Sequence, residues 1–272
     1  MHPFTVITPD GLILGAVEAG NPDGPEIVFI HGMSQCSLCW ARQFGDPGLT
    51  ARFRLIAYDL RGHGTSDKPP QHEAYTSDRL WANDLAAVMA KAKVRRPVLV
   101  AWSFAGRVVT DYLRHHGQGK LAGINFVGAV TRSGSDYLGP AIKYLGPMMG
   151  EDLAADIAAT RAFVRDCFAK PPPVETYETM LAYNMRVPAG VRAAATSRTA
   201  NPGDLLPKLA LPVLVTHGTE DRHILPNIAR YTAETVPGAR LSLYEGVGHA
   251  PFEEDAGRFN RELADFVLAV AG

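Results

Sequence analysis

Five runs of five residues are apolar almost from end to end: EIVFI (26–30), RLIAY (54–58), PVLVA (97–101), GINFV (123–127) and PVLVT (212–216). Strands covered on both faces read this way, whereas strands with one wet face alternate apolar and polar residues. Helical patterns run over 77–93, 104–115, 228–235 and 257–269, so strand-like and helix-like stretches alternate through much of the chain. That alternation predicts an α/β fold, a mostly parallel sheet joined by crossover helices. LILGAVEA (12–19), after a TPDG turn, reads as an early hairpin strand, and RLSLY (240–244) as a late sheet strand. With 272 residues, 46% of them hydrophobic, the chain can bury a core of the size such a sheet needs.

The rhythm breaks after Thr131. From 133 to 201 the chain is Ala-rich, dotted with aromatic residues and interrupted by Pro171, Pro172 and Pro173, with no strand-like run of comparable quality. The sheet pattern resumes at LALPVLVTHG (209–218). We therefore expect residues 1–132 and 202–272 to form the core, with 133–201 inserted as a helical cap over one end of the sheet.

Charge and composition narrow the functional classes. A net charge of -1 supplies no field to attract nucleic acid or an anionic membrane. No apolar run is long enough to span a bilayer, and MHPFTVITPDG lacks the pattern of a secretory signal, so a soluble, cytoplasmic protein is expected. Three cysteines do not suggest a disulfide framework. Cys36 and Cys39 form CSLC, but a second ligand pair with metal-site spacing is missing, and the two read as small apolar residues. No H-E-x-x-H, Walker or dinucleotide fingerprint is present, so neither metal nor organic cofactor is expected. Oligomeric state is not legible in the sequence.

Five loops carry the residues able to do chemistry. FIHGMS (29–34), AYDLRGHGTSDKP (57–69), AWSFAG (101–106) and VTHGTEDRHILP (215–226) each follow a strand, and EGVGHAPFEE (245–254) follows the last one. Ligands of open parallel sheets bind at the carboxyl ends of the strands, where such loops converge. Ser103 stands at a strand-to-helix corner. A Ser hydroxyl becomes a useful nucleophile when a neutral His removes its proton and a carboxylate holds the far ring nitrogen.

Taken together and in this order, HG, D-x-R-G-x-G-x-S-x-x-P, the Ser corner, HG-x-x-D and GH-x-P give the chain its resemblance to the α/β-hydrolase family, over nearly its whole length and least in the cap. The resemblance implies an α/β-hydrolase fold, a mostly parallel twisted sheet flanked by helices with an inserted helical cap. Its order of nucleophile, acid and base selects Ser103, Asp221 and His249. The backbone N–H groups of Met33 and Phe104 are implied as the oxyanion hole. Glu220 is the rival to Asp221. His217 reads as a turn residue, His223 as too close to Asp221 in sequence to be its partner, and His115 and His116 as the end of a helix. His31 reads as a holder of loop shape, and Asp59, Arg61, His63 and Asp67 as loop scaffold. The family's corner motif is G-x-S-x-G, whereas Ala101 and Ala105 replace the glycines here and Gly106 follows. This is a small-residue version, viable where neighbours leave room for two methyl groups.

Of the cap residues Tyr137, Tyr144, Met148, Met149, Phe163, Phe168, Tyr177, Met180 and Tyr183, most should pack the cap onto the core, and any that line the cleft favour an apolar substrate. A Ser nucleophile excludes the Asp-dependent epoxide hydrolases and dehalogenases of the family. The expected function is therefore a serine hydrolase that cleaves carboxylic esters of small molecules through an acyl-enzyme. A cofactor-free perhydrolase, a lactonase or a carbon–carbon bond hydrolase would use the same residues. A hydrolase-fold ligand receptor with little turnover is the alternative from a different class.

Overall fold

The computed structural model describes residues 1–198 and 204–271. Eight strands form one sheet: β1 (His2–Ile7), β2 (Ile13–Gly20), β3 (Glu26–Ile30), β4 (Arg54–Tyr58), β5 (Val98–Trp102), β6 (Gly123–Val127), β7 (Val213–Gly218) and β8 (Arg240–Tyr244). Their spatial order is β1-β2-β4-β3-β5-β6-β7-β8. β2 is antiparallel to both β1 and β4, and every other pair is parallel.

The longer helices are α1 (Asp78–Lys91), α2 (Ala105–His116), α3 (Leu153–Arg165), α4 (Val174–Met185), α5 (Ala189–Thr196), α6 (Asn227–Thr235) and α7 (Ala256–Val270). Successive strand residues point to opposite faces, so each apolar run feeds two cores. Val28 and Ile30 join Trp81 and Val88 of α1 and Val108 and Tyr112 of α2 on one face. Ile27 and Phe29 join Phe259, Leu263 and Val267 of α7 on the other. This two-sided burial is why the strands read as unbroken apolar runs.

β1 is an edge strand whose residues are mostly exposed, so HPFTVI carries no comparable apolar signature. Between β6 and β7 lie α3, α4 and α5. The expected boundary between cap and core at 201 and 202 lies outside the described residues. Among these three helices, buried Arg192 of α5 bonds Asp156 of α3 at 2.6 Å, Met148 O at 2.8 Å and Asn184 O of α4 at 2.7 Å. No helix among the described residues is long and apolar enough to cross a membrane.

Candidate active site

Ser103 lies between the end of β5 and the first turn of α2, with φ of 56°. A left-handed backbone is unfavourable for a residue with a side chain, by about 1–3 kcal/mol, and must be held by its surroundings. The Ser103 N–H donates to Val127 O at 2.9 Å, and Ser103 O accepts from Gly106 N–H and Val130 N–H at 3.0 Å each. The hydroxyl makes no hydrogen bond to a described residue and lines a cleft of about 230 Å³. Catalytic hydrogen bonds are often completed only when substrate is bound.

The displaced glycine of AWSFAG has a structural reason. A Cβ on Gly106 would lie 2.5 Å from Val130 O and 2.9 Å from Val130 N, so this is where backbone presses on backbone. Ala101 and Ala105 are buried in the core, which accommodates their methyl groups. On the other side of Ser103, a Cβ on Gly32 would sit 3.1 Å from Ser103 Cβ.

Met33 N–H and Phe104 N–H have no acceptor among the described residues. Phe104 precedes α2, and the first N–H groups of a helix lack intrahelical partners. Met33 sits in a tight turn closed by Gln35 N–H to Gly32 O at 3.2 Å, with Ser34 at φ of 60°, the left-handed position of a type II turn. Two histidines clamp this turn to the loop after β4. His31 Nε2 accepts from Leu60 N–H at 2.9 Å while Nδ1 donates to Gly32 O at 2.8 Å. His63 Nε2 accepts from Ser34 N–H at 3.1 Å while Nδ1 donates to Arg61 O at 2.9 Å. Burial, reinforced by the neighbouring His31, pushes the His63 imidazole down to about 3.

The rest of the loop after β4 is also framework. Asp59 accepts from Ser37 N–H and Thr65 N–H at 2.7 Å each. Arg61 makes a two-pronged pair with Asp84 at 2.7 Å, and Asp67 accepts from Ile13 N–H at 2.7 Å.

Asp221 is buried and Glu220 exposed. Asp221 Oδ1 accepts from His223 N–H and Ile224 N–H at 2.8 and 2.9 Å. Its Oδ2 faces His249 Nδ1 at 2.6 Å and His217 Nε2 at 3.1 Å. Burial alone would raise this carboxyl, but the His249 charge and the hydrogen bonds from His217 and His249 outweigh it and hold it well below the usual carboxylate range. The ionised carboxylate fixes the His249 proton on Nδ1 and leaves Nε2 free to accept one.

Two histidines therefore do more than their sequence positions suggest. His217 Nε2 also faces Ile224 O at 2.8 Å, so its proton points between two acceptors and steadies Asp221. The signal was the i, i+4 spacing of His217 and Asp221. The His223 ring lies 4.9 Å from that of His249 and lines the cleft. Its Nε2 donates to Phe163 O at 3.0 Å, and burial followed by the His249 charge pushes its imidazole down to about 3, so it stays neutral beside His249.

Of the aromatic and Met residues singled out between 133 and 201, Tyr137 and Phe163 line the cleft, while Met148, Phe168, Met180 and Tyr183 are buried in a core cluster. Arg107, four residues after Ser103, is a further cleft residue that the sequence reading passed over. His115 pairs with Asp78 at 3.1 Å at the end of α2, away from these groups. Cys36 and Cys39 are buried free thiols; burial and then the Asp59 charge push Cys36 up to about 12, and burial carries Cys39 well above the ordinary thiol value. Among the described residues, no three His, Cys, Asp or Glu side chains gather as a metal site.

Solved structures superimpose on this fold over nearly the whole chain. A candidate aryl esterase from Burkholderia cenocepacia superimposes with a TM-score of 0.95 at 39% identity, covering 99% of each chain. The esterase RhEst1 from Rhodococcus sp. ECU1013 gives 0.92 at 34% identity, over 99% of this chain and 100% of its own. Non-heme chloroperoxidase CPO-A1 from Kitasatospora aureofaciens is 27% identical over 258 residues, 90% of this chain and 92% of its own. The sequence profile of the alpha/beta hydrolase family matches residues 27–262, and the chain belongs to that family.

Proposed function

We propose that the protein hydrolyses carboxylic esters of small molecules through an acyl-enzyme formed on Ser103. The observation that carries this reading is the buried Asp221–His249 pair at 2.6 Å, on the same rim of the sheet as a left-handed Ser103 and two unengaged amides. His249 Nε2 takes the Ser103 proton as Oγ attacks the ester carbonyl carbon. The oxyanion is received by Met33 N–H and Phe104 N–H. Collapse of the tetrahedral intermediate breaks the bond to the alcohol, which leaves with the proton from His249. Water then attacks the acyl-enzyme with His249 again as base, and the acid departs as the Ser103 hydroxyl is restored. Asp221 keeps its charge throughout and stabilises the imidazolium.

The similarity to esterases and the mostly apolar lining of the cleft support an ester with apolar parts. Similarity to a chloroperoxidase favours, as a second reading, attack on the same acyl-enzyme by hydrogen peroxide to give a peracid. Three unpaired thiols support a reducing, cytoplasmic location.

The test is Ser103→Ala. Covalent labelling by a fluorophosphonate and hydrolysis of p-nitrophenyl acetate should both disappear, with turnover reduced by at least ~10³-fold. A variant that still labels and turns over would remove Ser103 as the nucleophile. Peracid formation from acetate and peroxide, read in parallel, separates the two readings.

A further inference from the structure

Val130, Leu138, Ala141, Ile142 and Phe163 give the cleft an apolar wall, and Arg107 interrupts it. The guanidinium is incompletely engaged. Its Nη1 donates to Arg198 O at 2.9 Å, its Nε is buried without an acceptor, and its Nη2 has no hydrogen bond to a described residue. No described carboxylate lies within ion-pair distance of it. Asp111, one helical turn further along α2, is taken by Arg198. Arg107 and Arg198 lie 5.9 and 6.0 Å from the centroid of the Phe104 ring, and the carboxylates that act on this corner, Asp111 and Asp78, act on Arg198.

A half-buried cation without a counter-ion is costly, and contact with an aromatic face offsets only part of that cost. In the first turn of α2 it also stands where the helix dipole is positive, which discourages any relief except by an anion. The planar fork of Arg suits a carboxylate, to which it can make two parallel hydrogen bonds. Arg107 lines the same cleft as Ser103, so the anion would belong to the molecule being cleaved.

Resting on the reading of Ser103 as an ester nucleophile, we propose that the preferred substrates are esters with an apolar spacer ending in a carboxylate, which Arg107 binds. Arg107 is then a specificity-determining residue. The carboxylate can sit on the acyl half or the alcohol half, and the two arrangements are separable.

The experiment compares kcat/KM for monomethyl adipate against methyl heptanoate, which tests the acyl half. A second pair, 4-acetoxybutanoate against pentyl acetate, tests the alcohol half. In the wild type the anionic member of at least one pair should lead by about tenfold or more, chiefly through KM, as expected for a charge-assisted pair. In Arg107→Gln that ratio should collapse towards one, and Arg107→Lys should retain part of it. The ratio is measured within each variant, so a loss of folded protein lowers both rates together and leaves it readable. Should Arg107→Gln not fold at all, the wild-type ratios decide. Neutral esters turned over as well as the anions in both pairs, or a ratio unchanged in Arg107→Gln, would overturn the proposal while leaving the esterase reading intact. No turnover of any ester, with no fluorophosphonate labelling, would overturn the esterase reading and this proposal with it.

Discussion

The Trp102 indole N–H donates to the carbonyl oxygen of His249 at 2.9 Å, and the two rings lie 5.4 Å apart. Trp102 is the residue before Ser103 and ends β5, so the loop carrying His249 hangs from the strand that leads into Ser103. The segment between β6 and β7 holds the same residue as well, where His249 N–H donates to Cys167 O at 2.8 Å. Both backbone groups of His249 are thus fixed before its ring meets Asp221.

Trp102→Phe keeps an aromatic ring in the core and removes the donor. Losing one buried hydrogen bond should cost about 1–2 kcal/mol of stability. A base displaced by a fraction of an ångström costs far more in rate, so kcat should fall about 10- to 100-fold with KM little changed. Steady-state kinetics beside urea unfolding separate the two effects. A stability loss with unchanged kcat would reduce Trp102 to a packing residue.

Gly106→Ala should harm the protein where Ala105→Gly does not. The first substitution drives a methyl group to 2.5 Å from Val130 O and strains the Val130 N–H bond to Ser103 O that holds the nucleophile's backbone. Overpacking of this kind costs about 1–3 kcal/mol, and activity should drop with it. The second recreates the usual glycine after the nucleophile, yet its main effect is added chain entropy at a helix start, about 1 kcal/mol or less, with no gain in rate. Urea midpoints and kcat for the two variants check the ordering. Equal effects would mean that the glycine at 106 is incidental.

The positions of the strands were legible because two-sided burial writes itself as unbroken apolar runs. β1 was not, because an edge strand with exposed residues has no such signature. At the site, the corner at Ser103 and the carboxylate choice followed from motif order, and the structure places Asp221 buried against His249. His217 escaped because β7 continues two residues past the apolar run, to Gly218, and carries its ring back over Asp221. Arg107 escaped for another reason. A charged residue on a helix reads as solvent-facing until Tyr137, Leu145 and Phe163 line the same cleft with it, and that meeting depends on contacts between distant segments.

His63 links acidity to the turn that presents Met33. Its folded imidazole titrates at about 3, against about 6.5 for a free His, because burial and then His31 oppose the charged form. Below pH ~6.5 the unfolded chain takes up a proton that the folded chain refuses, so the folded state loses about 1.4 kcal/mol per pH unit from this group, down to about pH 3. The stability it contributes is complete above the free value and is lost progressively as pH falls through this window. Protonated Nε2 would also point a hydrogen at the Ser34 N–H it now accepts from. His63→Gln keeps an acceptor but does not titrate. Wild type should be the more stable at pH 7.5, and the gap should narrow by about 2 kcal/mol between pH 7.5 and 5. Urea unfolding of both proteins at these pH values measures it. A gap that stays constant across the range would mean that His63 is not held neutral by the fold.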